Sequence, residues 1–293
     1  MNMKGLFVLF FFLMYFAINS LGQNIIVDSL SSKVNPSVED SAQVELHNDI
    51  AFELVNLSLY EDAKKHYVEL LRIATKINYK KGIWAYWSGM TTILLNENKL
   101  DEALVSYFEL EKLMTNEKAD SANLGVLYAS IANVYDAKAL YNNAVEYNTK
   151  ALNVFKYVGN KAYEAIILGN LASIYFKSKD YKSAINFHEK SLAIKKEFSS
   201  DYSVGTGYFN YAQVYDGLKD YQKTIDVLQT SISYLNKCND EAGLALCYTS
   251  LGLCYVSLSD SLNGESVSLS TKEGSLLLSE KELLAKAFDY EFR

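Results

Sequence analysis

The chain has 293 residues, of which 49% are apolar and 22% are charged, a balance typical of a globular protein with a sizeable core. The formal net charge is −7, with acidic and basic residues interleaved. This argues against a surface for nucleic acid or for an anionic membrane, because either would need a basic patch. Proline occurs once, at Pro36, so everything after it is free of the residue that most strongly interrupts helices.

The first 22 residues are typical of an export signal. Lys4 supplies one positive charge, residues 5–18 are apolar, and Ser20 and Gly22 are the small residues expected before a cut at Gln23. An uncleaved anchor is the alternative, but a membrane span needs roughly 20 apolar residues and this run is shorter. No other segment reads as apolar enough to span. We therefore expect an exported protein, periplasmic or extracellular, whose membrane contact is limited to this segment if it stays uncleaved.

After a leader or linker at residues 23–42, one pattern recurs at a nearly constant step. Five tetrads, the first at residues 60–63 and the last at 221–224, start 40 or 41 residues apart. A fixed period of this size is typical of a stacked repeat array. Each period predicts two helices, because apolar residues recur at helical spacing in both of its halves. A helix pair leaves an apolar face uncovered, so the pairs must stack on one another.

The aligned columns resemble the tetratricopeptide repeat. The resemblance covers residues 43–256, as five repeats and the first helix of a sixth. The small residue at repeat position 8 is the clearest column: Ala51, Thr91, Ala132, Ala172, Ala212 and Gly252. The resemblance implies an all-α fold, a right-handed superhelical solenoid of stacked helix–turn–helix repeats. Two departures are a step of 40 residues instead of about 34, which implies longer helices, and the absence of the family's late proline.

The sixth repeat is interrupted after its first helix. Residues 257–280 are rich in serine and indicate a flexible insertion. Residues 281–293 then have the character of a partial terminal helix, with Ala287 in a small-residue column. A helix that ended there would leave an apolar face uncovered, so we expect the chain to be a fragment or an early-terminated relative of a longer protein. The alternative is that this helix simply caps the array.

A ligand surface is predicted on the first helices, whose repeat positions 2, 5, 6, 9 and 12 share a face. Its middle is rich in amides and small hydroxyls: Asn133, Asn170, Ser173, Asn210 and Gln213. Amides donate and accept hydrogen bonds, so this set predicts pairing with the backbone of an extended peptide. Only Lys177 offers a cation there, so we expect no clamp for a terminal carboxylate. Phe52, Phe176 and Phe209 are candidates for apolar pockets, or for packing between helices.

No pattern in the chain indicates catalysis, a metal or a cofactor. His47, His66 and His188 occupy framework columns and are interpreted as coming from different repeats, without partners at ligand spacing. No phosphate loop or nucleophile motif is present. The odd number of cysteines leaves a Cys238–Cys247 disulfide open, with buried free thiols as the alternative.

Two functions follow from the sequence. The first is an exported, non-catalytic scaffold that binds a protein or an extended peptide in its concave groove. The second comes from resemblance to exported or membrane-tethered bacterial regulators. It is the sensory region of a signalling protein, of the histidine kinase or DNA-binding regulator type, whose output module is absent from this chain. Neither the partner nor the oligomeric state follows from the sequence.

Overall fold

The computed structural model describes residues 25–116, 121–261, 267–271 and 274–278, together with Glu282 and Ala285. The predicted export signal and its cleavage point lie outside the described residues, as does most of the predicted terminal helix. The chain divides into two compact units, with the boundary between residues 119 and 120. We describe each unit by itself.

The described residues of unit 1 form a short helical segment at residues 25–31 and two helix pairs. Its helices are α1 (Ser41–Asn56), α2 (Tyr60–Lys76), α3 (Lys80–Asn96) and α4 (Leu100–Asn116). α1 packs against α2, α3 packs against α4, and α3 also contacts both helices of the first pair. Glu61 and Asp62, which are predicted to begin a second helix, lie in the first turn of α2. Their negative charges stabilise the helix there, because the N-terminal end of a helix carries a partial positive charge.

The described part of unit 2 contains three helix pairs, one further long helix and a β-hairpin. The helices are α5 (Ser121–Ala137), α6 (Tyr141–Tyr157), α7 (Lys161–Lys177), α8 (Tyr181–Phe198), α9 (Asp201–Gly217), α10 (Tyr221–Lys237) and α11 (Glu241–Ser261). Each helix from α6 to α10 contacts the helix that follows it, and α5 packs against α6. The all-α repeat architecture predicted from the sequence is confirmed in both units.

The length of the repeat follows from the length of its helices. Most helices have 17 residues and most links have three, so one pair with its two links fills the 40-residue step. The described three-residue links reverse the chain through one left-handed residue each, for example Ser58 with φ 61°, Ala139 with φ 55° and Gly159 with φ 72°. At Ala139 the next amide, that of Leu140, donates to the carbonyl of Tyr135, a Schellman-type helix end. The longer helices expected from the departure in period are therefore confirmed.

The small framework residues lie where helices approach closely. Ala132 and Ala172 at position 8 are fully buried, and so is Ala144 at the equivalent place in a second helix. Alanine of the second helix is replaced by serine at the equivalent position of two later repeats, and each serine hydroxyl donates a hydrogen bond to a backbone carbonyl of the partner helix. Ser191 Oγ donates to the carbonyl of Ala165 at 2.7 Å, and Ser231 Oγ donates to that of Gly205 at 2.8 Å. These bonds tie the second helix of a pair to the start of the first.

The interrupted sixth repeat differs in detail from the prediction. α11 continues to Ser261, four residues beyond the predicted start of the insertion, because Leu258 still packs into the core. Part of the serine-rich segment is ordered as an antiparallel hairpin of β1 (Val267–Thr271) and β2 (Gly274–Leu278), with Val267 opposite Leu278 and Thr271 opposite Gly274. Along the sequence, the hairpin follows α11 directly, before the residues predicted as the terminal helix.

α11 also corrects the expectation that only the leader is apolar enough to cross a membrane. Among the described helices, it alone is sufficiently long and apolar by length and composition. Its apolar residues Cys247, Leu251, Cys254 and Leu258 belong to the buried cluster that joins α9, α10 and α11. A core helix passes the same test, and this packing accounts for the apolar residues on the buried face of α11, while Leu246 and Leu253 are exposed.

Candidate functional site

The first helices of unit 2 carry the five polar residues predicted to form a ligand surface. Asn133 lies on α5, Asn170 and Ser173 lie on α7, and Asn210 and Gln213 lie on α9. Asn133, Asn210 and Gln213 are exposed, and the other two are half-buried. Within the described part of the chain, no side-chain hydrogen bond involves any of the five. Their amide and hydroxyl groups are therefore available to a ligand.

Four of the five polar residues lie on two helices that contact each other. α7 contacts α9, so the four predicted residues on these two helices share one stretch of surface. Asn133 stands on α5, which is tied to α7 by an ion pair of 2.5 Å between Asp136 Oδ2 and Lys177 Nζ. Lys177 is the cation that the sequence places near the groove, and the Asp136 carboxylate already holds it. A terminal carboxylate of a ligand would have to displace Asp136.

Exposed apolar side chains accompany the amides. Val126, Ile166 and Leu246 occupy repeat position 2 of their first helices, and all three are exposed. Residues four and seven apart lie on one helical face, so Ile166 lies beside Asn170 and Ser173. This apolar row is not among the predicted ligand contacts, although position 2 is part of the predicted face and its residues recur at the 40-residue step.

A small pocket of about 100 Å³ lies between α9 and α11, at one end of this surface. Gln213 and Asp216 line it from α9, and Ser250 and Leu253 line it from α11. Burial raises the pKa of the Asp216 carboxyl. The pocket holds little more than a few water molecules or one small side chain, which makes it a feature of the surface and not a site for a cofactor.

A larger groove of about 400 Å³ lies between α1 and α3 in unit 1. Phe52 lines it together with Trp84, and both rings are exposed. The two other phenylalanines considered for apolar pockets pack between helices instead. Phe176 contacts Tyr181, and Phe209 packs against the buried cluster of α9, α10 and α11. Of the two exposed rings, only Phe52 is a sequence-predicted candidate, because Trp84 occupies repeat position 1, outside the columns assigned to the surface.

The structure corrects the interpretation of two histidines. His47 on α1 and His66 on α2 belong to one helix pair, and their Nδ1 atoms lie 2.9 Å apart. Their separation of 19 residues spans a helix turn, which hides the contact from a search for ligand spacing along the chain. His188 is buried on α8, and burial lowers its pKa to about 4. Among the described residues, no group of three or more His, Cys, Asp and Glu is arranged to hold a metal ion.

All three cysteines are free thiols in this structure. Cys238 is exposed at the end of α10, and Cys247 and Cys254 are buried in α11. The Cys247 Sγ lies 3.3 Å from Ser231 Oγ, so this thiol takes part in the packing of α11 on α10. The Cys238–Cys247 disulfide that the sequence leaves open is not formed, and Cys247 behaves as a small buried residue.

Part of this repeat array matches a known protein family. Residues 120–197, from α5 to α8, match the family model of the tetratricopeptide repeat. This segment of the chain carries tetratricopeptide repeats. The helix pairs on either side of the matched segment keep the same step and the same buried small residues. No curated protein is similar to the chain in sequence.

Several solved structures share the tetratricopeptide-repeat fold. BtubC (BKLC) from P. vanneervenii is 18% identical with a TM-score of 0.62, over 75% of this chain and 91% of that one. A Signal Transduction ATPase with Numerous Domains from Pyrococcus horikoshii, with a tetratricopeptide repeat sensor, is 20% identical with a TM-score of 0.68, over 90% of this chain and 38% of that one. The apo form of RapI is 18% identical with a TM-score of 0.67, over 83% and 68%. Identities this low show a common fold alone.

Proposed function

We propose that the chain is an exported, non-catalytic scaffold that binds an extended peptide segment of a partner protein along the first helices of unit 2. The observation that carries the proposal is the set of five unpaired polar side chains on α5, α7 and α9, flanked by an exposed apolar row. An extended peptide presents the complementary pattern, because its backbone has a donor and an acceptor at every residue and its side chains alternate in direction.

Binding would combine two kinds of contact. Asn133, Asn170 and Asn210 pair with peptide N–H and C=O groups, since an amide offers both a donor and an acceptor. Val126 and Ile166 receive apolar side chains of the peptide. The five polar residues include no nucleophile–base pair, so the surface supplies recognition and positioning without a reaction.

The partner is a protein and not a nucleic acid. The chain has a net charge of −7, and Lys177, the cation predicted near the polar set, is already held by Asp136. Nucleic-acid binding draws its affinity from lysine and arginine on phosphates. An uncharged peptide segment needs no such charge, and the amide-rich face suits it better.

A peptide selection with matched variants tests the surface. Random linear peptides displayed on phage are selected on residues 23–293, and the affinities of the selected peptides are measured. Asn133, Asn170 and Asn210 are then replaced together by alanine. The matched control replaces three exposed asparagines of the second helices, Asn153, Asn186 and Asn236.

The first variant is expected to weaken binding about 100-fold, from three lost hydrogen bonds of about 1 kcal/mol each, with little change in melting temperature. The control is expected to bind like the unsubstituted protein. Equal affinities of the two variants would reject the surface.

Export is tested on the intact chain. The proposal rests on the sequence of residues 1–22, with its single lysine, apolar run and small residues before Gln23. Expression of the full chain followed by fractionation and intact-mass measurement is expected to yield an envelope or extracellular protein that begins at Gln23. Full-length protein retained in the cytoplasm would contradict export, whatever the outcome of the peptide selection.

A further inference from the structure

The two histidines of the first helix pair point their ring nitrogens at each other. The Nδ1 atoms of His47 on α1 and His66 on α2 lie 2.9 Å apart, and the ring centroids lie 5.2 Å apart. The centroid separation equals the nitrogen–nitrogen distance plus the two distances from centroid to nitrogen. Both Nδ1 atoms therefore lie close to the line that joins the ring centres, and their lone-pair axes converge on one point between the helices.

Packing alone does not account for histidine at these two places. The same two columns carry Tyr128 and Tyr147 in the pair of α5 and α6, and Leu168 and Phe187 in the pair of α7 and α8. The tyrosine rings contact each other with centroids 6.0 Å apart, and Leu168 and Phe187 belong to one apolar cluster. The framework is thus filled by apolar or aromatic side chains elsewhere. Imidazoles at these columns add a cost of desolvation, so their nitrogens are the feature that distinguishes this pair.

Both rings are able to act as ligands at neutral pH. Burial lowers the pKa of His47 and of His66, so neither ring needs to lose a charge before it binds an ion. One Nδ1 carries the proton of the hydrogen bond between the rings. If this proton moves to Nε2 of the same ring, both rings stay neutral and both Nδ1 lone pairs become free. An ion then takes the place of the shared proton without net release of a proton.

The geometry restricts which ion fits. Metal–nitrogen bonds of about 2 Å in line place the nitrogens about 4 Å apart, so the rings must separate by about 1 Å. His47 is buried, but His66 is only half-buried and has an open side toward which its ring can move. Zinc takes three or four protein ligands, and among the described residues no third His, Cys, Asp or Glu completes such a group. The monovalent ions Cu⁺ and Ag⁺ are stable with two nitrogen ligands in line.

The charges around the pair also favour a monovalent ion. Glu69 acts on the ring of α1, and both of its oxygens accept hydrogen bonds from Arg72, at 2.7 and 2.9 Å. Asp62 acts on the ring of α2, and its Oδ1 accepts from Lys65 at 2.7 Å. Each carboxylate already has a cation, so neither is free as a third ligand or as a counter-charge. A divalent ion is costlier than a monovalent one at a buried site without a counter-charge.

We propose that His47 and His66 form a two-coordinate site for a monovalent ion of the copper group, with Cu⁺ held in line between the two Nδ1 atoms. The bound ion links α1 to α2 within the first helix pair. The site lies in unit 1 and does not rest on the peptide surface proposed for unit 2.

Competition for Cu⁺ tests the site directly. Thiols also bind Cu⁺, and Cys238 is exposed, so residues 23–293 with Cys238→Ser serve as the parent protein. The parent is titrated with Cu⁺ without oxygen against the coloured chelator bicinchoninate. The test variant adds His47→Leu and His66→Phe, the residues that α7 and α8 carry in the same columns. The matched control adds His188→Leu, which removes a buried histidine of unit 2.

The parent and the control are expected to bind one equivalent of Cu⁺ that the test variant loses. X-ray absorption at the copper edge of the loaded parent is expected to show two nitrogen ligands in line and no sulfur. Zn²⁺ in place of Cu⁺ is expected to give no difference between the parent and the test variant. Nitrogen NMR of the parent with Ag⁺ is expected to shift the Nδ1 signals of two histidines and to leave those of the third unchanged.

Four results would overturn the proposal. The first is equal uptake of Cu⁺ by the parent and the test variant. The second is sulfur among the copper ligands, which would assign the ion to the buried thiols of α11. The third is Zn²⁺ binding that the two substitutions abolish, which would indicate further ligands. The fourth is the absence of an Nδ1 shift with Ag⁺, and this measurement on the parent remains decisive if the test variant does not fold.

Discussion

The imidazole rings of His47 and His66 face one another across the first helix pair, with their Nδ1 atoms 2.9 Å apart. One nitrogen must donate and the other must accept, so at most one of the two rings is cationic in this arrangement. Burial lowers the pKa of both rings. Glu69 partly opposes this at His47, and the neighbouring His47 adds to it at His66. The pair therefore resists a second proton.

This resistance predicts a loss of stability of unit 1 in acid. As the pH falls below 6.5, the histidines of the unfolded chain take up protons that the folded pair resists, so the free energy of unfolding decreases. His47→Leu with His66→Phe uses residues found at the same columns in Leu168 and Phe187, and it is expected to remove this decrease. Urea unfolding followed by tryptophan emission over a pH series measures it. An identical pH dependence in both proteins would contradict the prediction.

His188 predicts a second acid effect, in unit 2. Its pKa is about 4 in the folded chain because of burial, against 6.5 when exposed. Its contribution to stability is complete above pH 6.5 and is lost as the pH falls to about 4, a change on the order of 3 kcal/mol. His188→Leu introduces the residue that Leu228 places in the same column, and it is expected to abolish the loss. Circular dichroism during urea unfolding checks this, and a titration of His188 by NMR near 6.5 would contradict it.

Asn148 is predicted to be replaceable with a gain in stability. It is fully buried in α6, its Nδ2 donates to the carbonyl of Ala144 at 3.0 Å, and its Oδ1 has no partner among the described residues. Asn148→Leu removes the unpaired oxygen, and Leu228 fills the equivalent position in another repeat. We expect a gain of about 1–2 kcal/mol. Urea unfolding measures it against Asn153→Leu, an exposed site on the same helix expected to change little.

The link between α5 and α6 carries an alanine in the left-handed region. Ala139 has φ 55° and occupies the helix-ending position where glycine is usual. Ala139→Gly relieves this strain and is expected to stabilise the chain by about 0.5–1 kcal/mol. Ala245→Gly, at an exposed position inside α11, is expected to destabilise by about the same amount. Thermal unfolding of the two variants should shift in opposite directions, and a shift of the same sign would contradict the argument.

The buried framework residues could be predicted from the sequence because they recur in every repeat. The buried alanines at 132, 144 and 172 recur at fixed repeat positions. The apolar faces of the helix pairs are covered when successive pairs stack on one another, and this determines the array. The exposure of Asn133, Asn210 and Gln213 followed from the same columns. What they bind stays a prediction, since nothing in the repeat identifies a ligand.

Features that occur once in the array were harder to find. The His47–His66 contact joins two columns in a single repeat, so no periodic signal marks it. Tyr67 of α2 lines the groove and lies against Gly89 of α3, and this contact between two helices also leaves no periodic signal. The hairpin of β1 and β2 lies in a segment whose composition indicates only the absence of a repeat. Such features depend on how side chains of different helices meet, which a column pattern does not encode.

Both tryptophans belong to α3, and this has a consequence for how the chain unfolds. Tryptophan emission reports on unit 1 alone, whereas far-ultraviolet circular dichroism sums the helices of both units. In an array that is stabilised by packing between neighbouring repeats, cooperative unfolding need not extend over the whole chain. The midpoints of the two signals in one urea titration would therefore tell whether the two units melt as one body or in turn.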